Sequence, residues 1–165
     1  MSRTRRLTRM ALLAAMALGL YVLEAQLPAP IPVPGVKLGL ANAVTLAAMA
    51  LLGRREAGAV LLVRLALGSL FSGSLSALLF SAAGGILAWA VMALTLSSLG
   101  REKLWAVSVL GALGHNAGQL AAAVAVTGTP AILWYAPALV ASGIATGAFT
   151  GLATQYTLRK MDKTR

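Results

Sequence analysis

A few polar side chains that could bind a ligand or take part in a reaction lie inside long apolar runs. His115 and Gln119 are four residues apart and so share one face of a predicted helix, with Asn116 next to His115. Asn42 is predicted at a similar depth on another helix. Any one of these groups is best explained by a hydrogen bond between helices. Together they favour a polar ligand pocket that opens outward, because polar groups inside a membrane are expensive and usually functional.

Arg64 is the most informative charge in the chain. It lies ten residues beyond Arg54, which is about 15 Å along a helix and near the middle of a bilayer. A charge at that depth should face the bundle and needs an anionic partner. Two compatible interpretations are open: a buried ion pair with Glu24, or a binding site for an anionic group of a ligand.

Lys37 is the only basic residue in a predicted outer loop, directly after a proline-rich segment. It is either an interfacial anchor whose alkyl stem snorkels or a cation at the mouth of the pocket. The predicted substrate-binding residues are therefore Lys37, Asn42, Arg64, His115, Asn116 and Gln119.

The residue types that are missing limit the possible chemistry. The chain has no cysteine, one histidine and a single aspartate, Asp162, so thiolate metal sites are excluded and a histidine-based metal site is not expected. An aspartate-rich magnesium site for a prenyl diphosphate cannot be built from this chain alone, and there is no Walker A sequence. We therefore expect no catalytic residues, no metal and no cofactor.

The surroundings of these residues are predicted to be lipid. The chain is 59% hydrophobic and only 11% charged, whereas about a quarter of a typical soluble sequence is charged. Its net charge of +10 could indicate nucleic acid, but the basic residues lie at predicted helix ends, where they meet anionic headgroups. We expect no nucleic-acid partner.

Twelve of the fourteen Lys and Arg residues fall in four clusters at alternate gaps between the apolar runs: residues 3–9, 54–55, 101–103 and 159–165. This distribution is typical of the positive-inside rule. It predicts a multi-pass protein of the bacterial cytoplasmic membrane, with an even number of spans and both termini in the cytoplasm. The first apolar run resembles a signal peptide, but cleavage would leave an odd number of spans.

The apolar runs predict an all-α protein with one membrane domain of six transmembrane helices, at about 7–25, 38–52, 56–70, 75–99, 103–126 and 132–158. We expect kinks at Gly84–Gly85 and near Pro137. Four alternating prolines in residues 28–34 forbid a helix there, so residues 26–37 form a predicted outer loop that lies over or dips into the bundle.

Two helices carry ladders of small residues with four-residue spacing: Ala11, Ala15 and Gly19, and Gly143, Gly147 and Gly151. Such stripes allow two helices to approach closely. The sequence leaves open whether each ladder packs within the bundle or docks to a partner membrane protein.

Three blocks of sequence resemble recurring blocks of one bacterial membrane family: residues 34–42, 79–85 and 115–119. That family is called the Gx transporter family, or heptaprenyl diphosphate synthase component I. The resemblance covers about residues 7–158, and Arg64 with residues 67–69 also fits it. Ala88 departs from it, because a serine is more usual there.

This family is similar to the S components of energy-coupling-factor (ECF) transporters. The resemblance implies a six-helix protein that binds a small substrate near the outer face, with a transmembrane scaffold (T) subunit and ATPases as partners. By the same resemblance, Ala11, Ala15 and Gly19 would contact the scaffold, and the loop at 26–37 would gate the site.

The expected function is therefore substrate binding for an ECF-type importer of a small anionic micronutrient or an isoprenoid-, quinone- or flavin-related metabolite. The alternative is a non-catalytic membrane subunit associated with a heptaprenyl diphosphate synthase, whose contact would be the basic cytoplasmic face. A third possibility, a scaffold for a redox or lipid-modifying complex, is disfavoured by the intramembrane Arg64.

Overall fold

The computed structural model of the chain describes residues 2–26, 39–73 and 75–163. The described residues fold into six α-helices, as predicted, with two 3₁₀-helices at Arg101–Lys103 and Pro130–Tyr135. The α-helices are α1 (Arg3–Gln26), α2 (Ala41–Leu52), α3 (Arg54–Ser72), α4 (Leu75–Leu99), α5 (Leu104–Thr127) and α6 (Ala136–Lys163).

Four helical segments are long and apolar enough to cross a membrane, judged by length and composition: Arg3–Glu24, Leu75–Leu99, Arg101–Thr127 and Pro130–Lys163. By contrast, α2 is a shorter apolar helix of 12 residues, about 18 Å long. The lengths agree with a helical membrane bundle, while six spans and cytoplasmic termini stay predictions.

The short helix α2 is the hub of the bundle, because it contacts each of the other five α-helices. Its Leu46 and Met49 are buried in one apolar cluster with Val60 of α3, Met92 of α4 and Val107 of α5. A residue near the start of α2, such as Asn42, is thereby placed among the helices that surround it.

The predicted basic clusters lie at one end of the bundle, where ion pairs join them. All three acidic residues of this end pair with a basic residue of another helical segment. The pairs are Arg6–Glu56, Arg101–Asp162 at 3.8 Å and Arg159–Glu102 at 3.1 Å. We call this the basic end of the bundle.

The small-residue ladder of α6 packs within the bundle. A Cβ atom at Gly147 would lie 2.7 Å from Val109 Cα, and one at Gly151 would lie 2.6 Å from Trp105 Cα, so neither position has room for a side chain. In α1 the residues Ala11, Ala15 and Gly19 are instead exposed. The ladder of α6 therefore packs against a neighbouring helix, whereas the ladder of α1 lies on the outside of the bundle.

The start of the last helix differs from the prediction. Helix α6 begins at Ala136 rather than at 132, so Pro137 lies in its first turn instead of kinking its interior. Proline is tolerated there because first-turn N–H groups have no intrahelical acceptor. Helix α4 stays α-helical through Gly84 and Gly85, and these glycines make space for side chains of neighbouring helices.

Candidate ligand site around Arg64

Adjacent glycines in α4 form a notch that admits polar side chains from two helices. Arg64 Nη2, from α3, lies 2.9 Å from the position that a Cβ atom would occupy at Gly85. His115 Cε1 and Gln119 Cγ, from α5, each lie 2.8 Å from the corresponding position at Gly84. Any larger residue at these two positions would displace those side chains. We call this feature the glycine notch.

Asn42, at the start of α2, lies close to the imidazole of His115. A Cβ atom at Gly39 would lie 2.9 Å from Asn42 Nδ2 and 3.3 Å from His115 Cδ2. Gly39 also has a φ of +79°, a left-handed conformation that favours glycine. His115 therefore lies between the notch and the start of α2. We call Asn42, Arg64, His115 and Gln119 the polar cluster.

The polar cluster is deeply buried. Arg64 is 3% exposed and Gln119 is 1% exposed, and Asn42 and His115 are also buried. Among the described residues, Arg64 Nε and Nη2 and Asn42 Nδ2 have no hydrogen-bond acceptor. Buried donors without acceptors are costly, most of all when they carry a charge. These donors need an acceptor from outside the described residues.

Glu24 does not form the ion pair with Arg64 that the sequence suggested as one possibility. Its carboxylate accepts hydrogen bonds from the backbone N–H groups of Gly39, at 2.5 Å, and Leu40, at 3.2 Å. The carboxylate thereby holds the two residues that lead into α2, close to the positive end of the helix dipole. Within the described residues, no ion pair joins Glu24 to Arg64, although Glu24 still exerts an electrostatic influence on the guanidinium.

Asn116 is separated from the polar cluster. Its Nδ2 donates a hydrogen bond to the Leu139 carbonyl of α6 at 2.7 Å, and it lies against Gly143. Adjacent residues point in different directions around a helix, so Asn116 faces α6 whereas His115 and Gln119 face α4. The helix–helix interpretation fits Asn116. Lys37 and almost all of the predicted gate lie outside the described residues.

One residue beside Arg64 does not stand out in the sequence. Tyr21 of α1 is buried, and its ring centroid is 5.8 Å from the Arg64 guanidinium carbon, within reach of a cation–π contact. Ser81 is buried on α4 about one turn before the notch. Tyr21 could have been found from its spacing, because it precedes Glu24 by three residues and shares its helix face.

The chemistry of this arrangement is recognition of an acceptor-rich group. Arg64 offers only donors, and the amides of Asn42 and Gln119 offer donors as well as acceptors. Within the described ranges, no group of three or more His, Cys, Asp or Glu residues could hold a metal ion. Hydrogen-bond donors of this kind bind carboxylate and phosphate groups.

The comparisons with known proteins give one family. A model of the family heptaprenyl diphosphate synthase component I matches residues 13–157, which covers five of the six α-helices in full or nearly so and most of α1. No curated protein and no solved structure gives a significant match. The family match agrees with the resemblance carried by the three sequence blocks. The chain therefore belongs to the heptaprenyl diphosphate synthase component I family.

Proposed function

We propose that this protein is a substrate-binding membrane subunit that holds a small anionic molecule at the polar cluster. The observation that carries the proposal is Arg64, which is 3% exposed and has two guanidinium nitrogens without an acceptor among the described residues. A guanidinium group donates hydrogen bonds and accepts none, so an arginine in such a place needs acceptors from another group.

A carboxylate or phosphate group would satisfy this guanidinium. Either group can accept two parallel hydrogen bonds from an arginine, in an arrangement stronger than a neutral hydrogen bond. Asn42 Nδ2 is a further buried donor without an acceptor in the described chain, and Gln119 lies beside the same notch. The ligand would therefore carry one acidic group and further acceptors.

The exposed ladder on α1 supports a partner in the membrane. Gly19 has nothing within 4 Å of the position of an added Cβ atom, and Ala11 and Ala15 are exposed on the same helix. Because small residues let a second helix approach closely, this stripe suits a transmembrane scaffold subunit. We therefore propose an ECF-type importer, with ATPases bound to that scaffold and the basic end in the cytoplasm.

A purification from native membranes in mild detergent tests this function. Mass spectrometry of the copurified proteins and of the extracted small molecules should find a transmembrane scaffold, ATPases and an anionic metabolite. If the cells express a scaffold and ATPases but neither copurifies with the protein, the importer proposal would be contradicted.

The second candidate is a non-catalytic membrane subunit of a heptaprenyl diphosphate synthase. The description of the matching family favours it, because that name implies a second, partner component. In this case the same purification should yield a soluble prenyl synthase instead. Loss of synthase activity from the membrane fraction of a deletion strain, restored by an Arg64→Gln variant, would favour this candidate over the importer.

A further inference from the structure

A cavity at the basic end combines guanidinium groups with an apolar floor. It lies between the first turns of α1 and α3 and has a volume of about 320 Å³. Its lining residues are Arg3, Arg6, Leu7, Met10, Arg55, Glu56 and Ala59. Its lining residues on α3 precede Arg64 by five to nine residues, which is roughly 8–14 Å along the helix, and none of them belongs to the polar cluster.

The charges of this cavity are not balanced. Arg6 forms an ion pair with Glu56, whereas Arg3 and Arg55 are exposed and have no ion pair with any residue the structure describes. The cavity therefore keeps an excess of two positive charges. The N-termini of α1 and α3 also lie here, and their dipoles add to the positive potential.

The apolar floor distinguishes this cavity from a site for a soluble ion. Leu7 is 56% exposed, and Met10 and Ala59 are partly exposed beside it. All three come after the arginines in their helices and so lie nearer the apolar part of the bundle. A ligand that meets the arginines with a phosphate and the floor with hydrocarbon must be amphiphilic.

We propose that this cavity binds the headgroup of an anionic phospholipid, with its phosphate between Arg3 and Arg55 and the start of its acyl chains against Leu7 and Met10. Basic pockets between helices at the cytoplasmic side of a membrane suit such headgroups. The site would fix the first turns of α1 and α3 at the membrane surface. It is independent of the ligand proposed for Arg64.

The test compares two variants that remove the same charge from the same helices. Arg3→Gln/Arg55→Gln removes the two unpaired guanidinium groups of the cavity. Arg5→Gln/Arg54→Gln is the matched control, since both residues are exposed neighbours that do not line the cavity. The full chain in neutral detergent is titrated with phosphatidylglycerol or phosphatidylcholine, and bound lipid is counted by native mass spectrometry.

We expect the wild-type protein and the control to prefer phosphatidylglycerol. The Arg3→Gln/Arg55→Gln variant should bind it about 30-fold more weakly, which corresponds to roughly 1 kcal/mol for each guanidinium near an anionic surface. Arg3→Lys/Arg55→Lys should restore part of the affinity, because it keeps the charge. Equal elution volumes and thermal midpoints of the variants would show that folding is unaffected.

Three results would overturn the proposal. An equal loss in the control would assign the preference to general surface charge. Equal binding of both lipids by the wild-type protein would show that the cavity does not select anionic headgroups. Displacement of phosphatidylglycerol by millimolar inorganic diphosphate, with diphosphate itself retained, would make a soluble phosphate compound the occupant instead.

Discussion

Arg64 and Gly85 face each other across the contact between α3 and α4, with Arg64 Nη2 2.9 Å from the place where a side chain at Gly85 would begin. The glycine thus fixes where the guanidinium lies. On the neighbouring position, Gly84 does the same for His115 and Gln119. The candidate site therefore depends on two residues that have no functional group of their own.

Gly85→Ala should leave the protein folded and lower its affinity for the ligand. The new methyl group would meet the flexible end of Arg64, so the guanidinium would move while α4 keeps its place. Losing one charge-assisted hydrogen bond of about 1.5 kcal/mol lowers affinity roughly tenfold. The measurement is the amount of anionic molecule retained through purification, quantified by mass spectrometry.

Gly58→Ala is the matched control for this prediction. A Cβ atom at Gly58 would make only ordinary contact with Trp89, at 3.4 Å, on a helix that also carries Arg64. Retention of ligand should therefore equal that of the wild-type protein. Full retention by Gly85→Ala as well would show that the notch does not position Arg64 for binding.

Glu24→Gln should destabilise the protein, because the carboxylate accepts hydrogen bonds from Gly39 and Leu40 and so ties α1 to the residues that lead into α2. Hydrogen bonds to a charged group typically contribute about 1.5–3 kcal/mol. The effect should appear as a lower thermal midpoint in detergent. Glu102→Gln is the control, since Glu102 is exposed in an ion pair with Arg159 and such pairs contribute at most about 1 kcal/mol. Equal midpoints of the two variants would contradict this role of Glu24.

Asn116→Ala and Gln119→Ala should separate stability from binding. The first removes a hydrogen bond between α5 and α6, which in a membrane contributes about 0.6 kcal/mol on average, and should leave ligand retention unchanged. The second removes a side chain that lies at the glycine notch and should reduce retention. If Asn116→Ala lowers ligand retention as much as Gln119→Ala does, Asn116 contributes to ligand binding after all.

The exposed ladder of α1 leads to a prediction about partners. Ala15→Leu/Gly19→Leu adds bulk to an exposed helix face, where an added Cβ atom at Gly19 meets nothing within 4 Å. The variant should therefore keep its thermal midpoint and its ligand, yet lose the copurified scaffold subunit. Leu12→Ala/Met16→Ala, which shortens two exposed side chains of α1 that lie one position off the ladder, should keep the scaffold. Undiminished recovery of the scaffold with the leucine variant would place the partner on another face.

Much of the fold follows from local patterns in the sequence. The apolar runs and basic clusters predict six helices whose ends agree with the structure to within about five residues, because helix formation and charge placement are local properties. At the start of α6 the difference changes the role of Pro137, which lies in the first turn rather than inside the helix. Proline allows either arrangement, and only the preceding 3₁₀-helix at Pro130–Tyr135 decides it.

The site could be predicted only in part, because its geometry joins residues far apart in the chain. The four-residue spacing of His115 and Gln119 placed both correctly on one face. The same helical geometry turns Asn116 to another face, so Asn116 does not belong with these two residues. An ion pair between Glu24 and Arg64 is one of the two interpretations that the sequence allows, but the Glu24 carboxylate accepts hydrogen bonds from two backbone N–H groups just before α2 instead. No local pattern reveals that choice, since it depends on how α1 and α2 pack.

The most direct test of the central claim is the anionic content of two purified proteins, wild type and Arg64→Gln, with Arg54→Gln as a control that removes a charge from the same helix. Small molecules are extracted from equal amounts of folded protein and quantified by mass spectrometry. We expect one acidic metabolite at near one molecule per chain in the wild type and the control, and its loss from Arg64→Gln. Equal retention of that metabolite by Arg64→Gln would show that the buried guanidinium does not bind it.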